Sequence, residues 1–222
     1  MANNKVILDL CGGTGSWSKP YKDAGYKVHN ITLPDYDLTW YYSDKDNLYF
    51  WESIKTSSKY NLTVKKKDVY GVLSAPPCTM FSHARTNAKK PRDLREGMKL
   101  VKNSLSIIWE LQGGIKKDTQ KYSPLKFWAL ENPYHGMLRW FLGEPAFVFS
   151  PDEFGHNYQK KTAIWGYFNK PKKTHKRDKG LTKFDYMKSK DIAPEHFGKL
   201  TRTERRAITP SGFAKAFMEA NL

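Results

Sequence analysis

Cysteine is scarce: the 222-residue sequence holds only Cys11 and Cys78, and the two fall in different motifs. That excludes a disulfide-stapled scaffold and a cysteine zinc cluster, and no metal site is expected. No apolar run approaches the roughly 20 residues that a membrane span needs. Nothing resembling a signal peptide precedes the first strand-like run, so a cytoplasmic location is expected. Acidic residues are in deficit, 22 against 38 Lys and Arg, for a formal charge of +16 and a pI near 9.7. Such a surplus points to a polyanionic partner, with nucleic acid first. An anionic membrane surface comes second, because no lysine-rich amphipathic anchor helix is visible. The surplus is uneven: residues 160–179 hold eight Lys/Arg against Asp178, and residues 85–102 hold seven against Asp93 and Glu96.

The length suits one domain with its own core, and there are no internal repeats. Val6 to Leu10 is the short apolar run of a buried parallel strand. Three glycines follow within Cys11 to Gly15, then a helix capped by Ser16 or Ser18 and closed by Gly25, then a strand at about Tyr26 to Leu33. Residues 41–66 are aromatic and poorly periodic, and read as a long excursion or a weak helix. Val69 to Ala75 is a third strand. Leu94, Met98, Val101, Leu105 and Ile108 give an amphipathic helix over 92–112. Short strands follow at Phe127 to Leu130, stopped by Glu131-Asn132-Pro133, and at Ala163 to Gly166. Residues 169–201 are basic and patternless, and a helix over 211–221 closes the chain. Alternating strands and helices predict an α/β fold with a mostly parallel sheet.

Two motifs carry chemistry. The glycine-rich turn after the first strand allows backbone to approach a ligand closely at a helix N-terminus. It is not a Walker loop, because the Gly-Lys-Ser/Thr ending is missing. The second motif, Ser74-Ala-Pro-Pro-Cys-Thr-Met-Phe-Ser82, presents a thiol on a stiffened loop at a strand's carboxyl end. Ligands of open α/β sheets bind at that end, and thiolate is a strong nucleophile near neutral pH.

This second segment resembles the Pro-Pro-Cys nucleophile motif of DNA cytosine-C5 methyltransferases. Four further segments resemble that family's motifs in the family's order. Asp9 to Gly15 resembles the cofactor motif, Glu131-Asn132-Pro133 the Glu-Asn-Val motif, Asn157 to Lys161 the Gln-x-Arg-x-Arg region, and Thr209 to Ala216 the C-terminal cofactor-pocket motif. The nearest likeness is to short phage-encoded members, for which the expected location is the host cytoplasm. There are departures from the pattern. Cys11 stands for the usual phenylalanine, Ser16 for a glycine and Thr79 for the glutamine after the nucleophile. Ala207 stands for an asparagine, and only Lys161 remains as a basic match in its region. In place of the target-recognition domain there is a basic stretch of only about 40 residues.

The resemblance implies a Rossmann-like class I methyltransferase fold with helices on both faces of the sheet. The chain then divides into a catalytic core over 1–168, a basic insertion over 169–206 and a returning helix over 207–222. Its implied cofactor, S-adenosylmethionine, would be held by Asp9, Leu10, Cys11, Gly12, Gly13, Thr14, Gly15 and Trp17, with Thr32, Leu33, Asp37, Pro76 and Thr209. Cys78 is implied as the nucleophile toward cytosine C6, Glu131 as the acid at the ring and Lys161 as the cation near O2 or the thiol. DNA, with a flipped or unpaired cytosine, would meet Ser82, Arg85, Lys89, Lys90 and Arg92, and then Lys170, Lys172, Lys173, Lys176 and Arg177. A monomer of short or relaxed sequence specificity is expected. Two alternatives stay open: a DNA-binding homologue that has lost cofactor affinity, and a methyltransferase acting on RNA cytosine.

Overall fold

The computed structural model describes residues 4–53, 61–83, 88–112 and 125–222. Its centre is a six-stranded sheet. Strands β1 (Val6–Leu10), β2 (Lys27–Ile31), β6 (Val69–Ser74) and β7 (Phe127–Pro133) run parallel, in the order β2-β1-β6-β7. Strand β9 (Thr162–Tyr167) then pairs antiparallel with β7, and β8 (Phe147–Phe149) antiparallel with β9 at the edge. All five residues of β1 and all six of β6 are buried, as expected of central strands covered on both faces.

Alternation along the strands sends side chains to two cores. Ile7, Leu73 and Phe127 face helices α1 (Lys19–Asp23) and α5 (Ser211–Ala220), packing with Trp17, Tyr21, Phe213 and Phe217. Phe213 stacks on Phe149 with ring centroids 3.8 Å apart. Leu8, Leu10 and Val72 face helix α2 (Leu94–Leu111), packing with Ile107 and Ile108. Asp93 caps α2, its side chain accepting the Glu96 N–H at 2.9 Å, and the expected apolar stripe lies against the sheet. The fold is thus mixed α/β, a mostly parallel sheet with helices on both faces, compatible with a Rossmann-like architecture.

Two expectations do not hold. Residues 41–53 and 61–65 hold strands rather than a weak helix. Strands β3 (Tyr36–Ser43), β4 (Asn47–Glu52) and β5 (Leu62–Lys65) form a separate antiparallel sheet, which buries Leu48, Phe50 and Val64 against the α2 side of the core. Glu131-Asn132-Pro133 does not stop β7. The strand runs through Pro133 because β9 supplies partners, pairing Glu131 with Ile164 and Asn132 with Ala163. The basic stretch after residue 168 is ordered without periodicity. Single 3-10 turns at Phe184–Tyr186, Ser189–Asp191 and Pro194–His196 lead into α4 (Arg202–Ala207). The guanidinium of buried Arg205 donates to the carbonyls of Ser189, Ile192 and Leu200 and so pins the turns together. Arg205 therefore belongs to the packing, not to a phosphate-contacting surface.

Among the described residues no helix is long and apolar enough to cross a membrane.

Candidate active site

Strand β1 lies between β2 and β6, so the chain leaves it in one direction and returns on the other side. A crevice opens at the carboxyl ends of strands where the order reverses in this way. The loops at those ends are the glycine turn after β1 and Pro76-Pro77-Cys78 after β6. The Ala75 N–H donates to the Leu10 carbonyl at 2.9 Å and holds the two loops side by side. Between them is a cleft of about 990 Å³.

One end of the cleft is built by the glycine turn. Gly13 and Gly15 have φ of +53° and +71°, and Cys11 is left-handed at +56°. The turn is tied to β2 and the residues after it: Cys11 N–H donates to the Ile31 carbonyl at 2.8 Å and Gly13 N–H to Thr32 Oγ1 at 3.3 Å. Asn30 Nδ2 also donates to the Gly13 carbonyl at 2.9 Å. Gly12 is required for a different reason. A Cβ there would fall 2.3 Å from Cγ of Asp9. Asp9 is fully buried, and Ser18 Oγ donates to its Oδ2 at 2.6 Å while Oδ1 has no partner. Burial pushes the Asp9 carboxyl up to about 6, against the lowering effect of the Ser18 hydrogen bonds. Burial, then Asp9 and Asp37, push the Cys11 thiol up to about 12, which leaves it a poor nucleophile. The indole N–H of Trp17 is likewise buried without a partner. Asp37 Oδ1 accepts both the N–H and the hydroxyl of Thr39, at 2.8 and 2.7 Å, which fixes its carboxylate at the far wall.

The other end carries the thiol and the carboxyl. Cys78 sits on a tight turn in which its carbonyl accepts the N–H groups of Phe81 and Ser82 at 2.9 and 2.7 Å. The Phe81 carbonyl accepts the Met137 N–H at 2.9 Å and so locks the turn to the segment after β7. Buried Asn132 completes the coupling, donating from Nδ2 to the Pro76 carbonyl at 2.9 Å. Burial raises the Cys78 thiol above its ordinary value, Lys160 and Arg206 lower it, and Glu131 raises it further. Burial also raises the Glu131 carboxyl, again opposed by Lys160. A single cation therefore bears on both groups, drawing each toward its anion while burial favours the neutral forms.

Most of the residues anticipated from sequence meet in this cleft. Asp9, Cys11, Gly12, Gly13, Thr14, Trp17, Thr32, Leu33, Asp37, Pro76 and Thr209 line it, as do Cys78, Ser82, Glu131, Lys161 and Arg177. Leu10 does not: it is a fully buried core residue below the turn, and Gly15 turns the chain into α1. Among the proposed phosphate contacts, Lys173 is engaged elsewhere, its ammonium 2.7 Å from Glu153. Arg92 donates to the Met80 carbonyl at 3.0 Å and braces the loop after Cys78. Lys89, Lys90, Lys170, Lys172 and Lys176 are exposed and do not line the cleft, and Arg85 lies outside the described residues. Lys161 lines the cleft but its ammonium stands 3.7 Å from the centre of the Tyr134 ring.

Lys160, Arg206 and Asn132 were not singled out by the motifs. Lys160 sits beside the one basic residue that matched the pattern. Its Nζ donates to the Arg206 carbonyl at 3.0 Å, while the Arg206 guanidinium stands 4.8 Å over the Phe184 ring and pairs with Asp185 at 2.5 Å. Gln159 and Lys183 are joined by an isolated β-bridge as well. The basic segment is therefore a wall of the cleft, contributing Arg177, Lys183, Phe184 and Arg206, rather than an appendage. No protein-family model matches the sequence, and a search of curated proteins finds no match.

Proposed function

We propose that this protein is an S-adenosylmethionine-dependent methyltransferase acting on C5 of cytosine in DNA, within a class I methyltransferase fold. The observation that carries the reading is the meeting of Cys78 and Glu131 under one cation, Lys160, at a topological switch point whose other end is a glycine turn. Neither group is unusual alone. Together they supply what an inert ring carbon requires: a soft nucleophile on one side and a proton-holding acid on the other.

The cofactor end has the features such a ligand needs. Asp9 Oδ1 is an unpartnered buried acceptor and Trp17 Nε1 an unpartnered buried donor, both in the wall of the cleft beside the glycine turn. They suit the amino-acid end of S-adenosylmethionine, which offers an ammonium and a carboxylate. Thr32, Leu33 and Asp37, along the adjoining wall, suit the nucleoside end. When bound, the cofactor supplies an electrophilic methyl group.

The protein's own residues prepare the acceptor. As thiolate, Cys78 adds its sulfur to C6 of cytosine, and the C5–C6 π pair becomes available at C5. Glu131, whose carboxyl burial pushes upward against the pull of Lys160, would hold a proton at N3 and stabilise the negative charge pushed into the ring. Lys160 favours the thiolate before addition. Once C5 has gained the methyl group, its remaining proton passes to water, elimination of the Cys78 sulfur restores the C5–C6 double bond, and Glu131 takes back the proton from N3. Asn132 positions the Pro76-Pro77-Cys78 loop against β7, and so sets the approach of sulfur to ring. C6 is inaccessible within a base-paired stack, so the cytosine must reach the cleft extruded or unpaired.

The test is covalent trapping. DNA containing 5-fluorocytosine cannot release the group at C5, so an adduct resistant to denaturation should accumulate when the cofactor is present. Cys78→Ala should give none, and Cys11→Ala should still trap. An adduct that survives in Cys78→Ala refutes the assignment of the nucleophile.

A further inference from the structure

The mouth of the cleft beside Cys78 carries an aromatic and cationic lip that the chemistry above does not use. Trp140, in α3 (Arg139–Leu142), is 70% exposed, although large aromatic side chains are normally placed where they bury area. Its ring lies edge-on to His83, centroids 6.3 Å apart, and His83 lines the cleft. Next to them the Tyr134 ring carries two cations, Lys161 at 3.7 Å and Arg139 at 4.5 Å, and stands 5.1 Å from the ring of His135. The positive field there lowers the His135 imidazole, after burial, through Lys161, Arg139, His83 and Lys183. Exposed aromatic faces interleaved with fixed cations match a strand whose bases are unstacked and whose backbone is anionic. A duplex shows its bases only as edges in the grooves, so their faces would not meet such a lip.

We propose that His83 and Trp140, beside the cations that Tyr134 gathers, form a stacking shelf for the unpaired base next to the reacting cytosine, so that the preferred polymer is single-stranded DNA. This rests on the reading of the cleft as a cytosine site. The arrangement explains how a chain with little room for a base-reading domain holds its substrate, since stacking is indifferent to sequence. The net charge of +16 supplies the complementary attraction to phosphate.

The experiment compares binding of one 12-mer as single-stranded DNA, as duplex DNA and as single-stranded RNA, at fixed salt. A 2-aminopurine placed beside the cytosine reports stacking by quenching. The expected result is at least about 10-fold tighter binding of the single DNA strand, with quenching. Trp140→Ala should weaken it roughly 5- to 100-fold and abolish the quenching, while Trp140→Phe retains most of both. Trp109→Ala, also exposed but away from the cleft, should change neither. Equal or tighter duplex binding, or unaltered affinity in Trp140→Ala, overturns the shelf. Preference for RNA overturns the choice of DNA. Trapping by 5-fluorocytosine keeps the two ideas separate. An adduct with no dependence on Trp140 removes the shelf alone, whereas Trp140-dependent binding without an adduct removes the chemistry alone.

Discussion

Replacing Asp9 by Asn removes a titration from the core while leaving an oxygen for Ser18 to bond. In the folded protein this carboxyl is pushed up to about 6 from an ordinary 3.8, chiefly by burial. Between those two values the folded state holds a proton that the unfolded chain has released. The unfolded state then binds fewer protons, so unfolding free energy falls as pH rises. Stability from this group is complete below the unfolded value, is lost as pH climbs toward about 6, and stays constant above it. At 1.36 kcal/mol per unit, the gap between about 6 and 3.8 is worth about 3 kcal/mol. The assay is urea unfolding of wild type and Asp9→Asn across the range from about pH 4 to about pH 8. Any cost of seating the amide N–H₂ group is the same at each pH and cancels in the comparison. Wild type should therefore lose about 3 kcal/mol relative to Asp9→Asn between about pH 4 and pH 7, and nothing more beyond. Parallel profiles would refute the reasoning, for they would mean that Asp9 ionises in the folded state as freely as in water.

Three further outcomes follow from the same geometry. Gly12→Ala should destabilise the fold by about 1–3 kcal/mol, because its Cβ meets the fixed Asp9 carboxylate. Gly13→Ala meets no atom and should cost only the roughly 1–2 kcal/mol of its left-handed backbone, both read from denaturation midpoints. Lys160→Met should move the pH profile of Cys78 alkylation by iodoacetamide to higher pH, since the cation opposing burial is gone. Lys161→Met should leave it in place, and an unmoved profile in Lys160→Met would exclude the pairing. Asn132→Ala should cost about 1–3 kcal/mol by orphaning the buried Pro76 carbonyl, measured by denaturation.

Five strands of the central sheet were legible because they are short apolar runs, many with glycine or proline at their ends, as in Val6 to Leu10 and Val69 to Ser74, whereas the three-residue edge strand β8 was not. Helix α2 was legible from its spacing. The small sheet was not, and the reason is chemical. Its inward residues Tyr41 and Phe50 alternate with Tyr42 and Tyr49, which face away, so both faces are aromatic and the period of two disappears from the hydropathy pattern. The segment after residue 168 was illegible because one buried guanidinium, Arg205, does the work that apolar periodicity does elsewhere. Within the site, Cys78 and Glu131 stood out through the prolines beside them. Lys160 did not, because two adjacent lysines look alike until the fold brings the charge of one of them to bear on the thiol. Asn132 lies within the Glu131-Asn132-Pro133 motif, but its role was not legible there, since its partner is a backbone carbonyl 56 residues away.

The packing of α5 on α1 bears on how the chain is made. Phe213 and Phe217 cover Trp17, and the Phe217 ring also meets Phe127, so the last helix described here seals a core begun by the first strand. During synthesis that face of the sheet stays open until residues 211–220 have left the ribosome, because nothing made earlier can take their place. Until then part of that aromatic surface is uncovered, the state in which chaperones bind and aggregation competes. Completion is abrupt. Arg206, whose carbonyl holds Lys160 in the wall of the cleft, lies just upstream of α5, so that wall and the seal of the core are completed together.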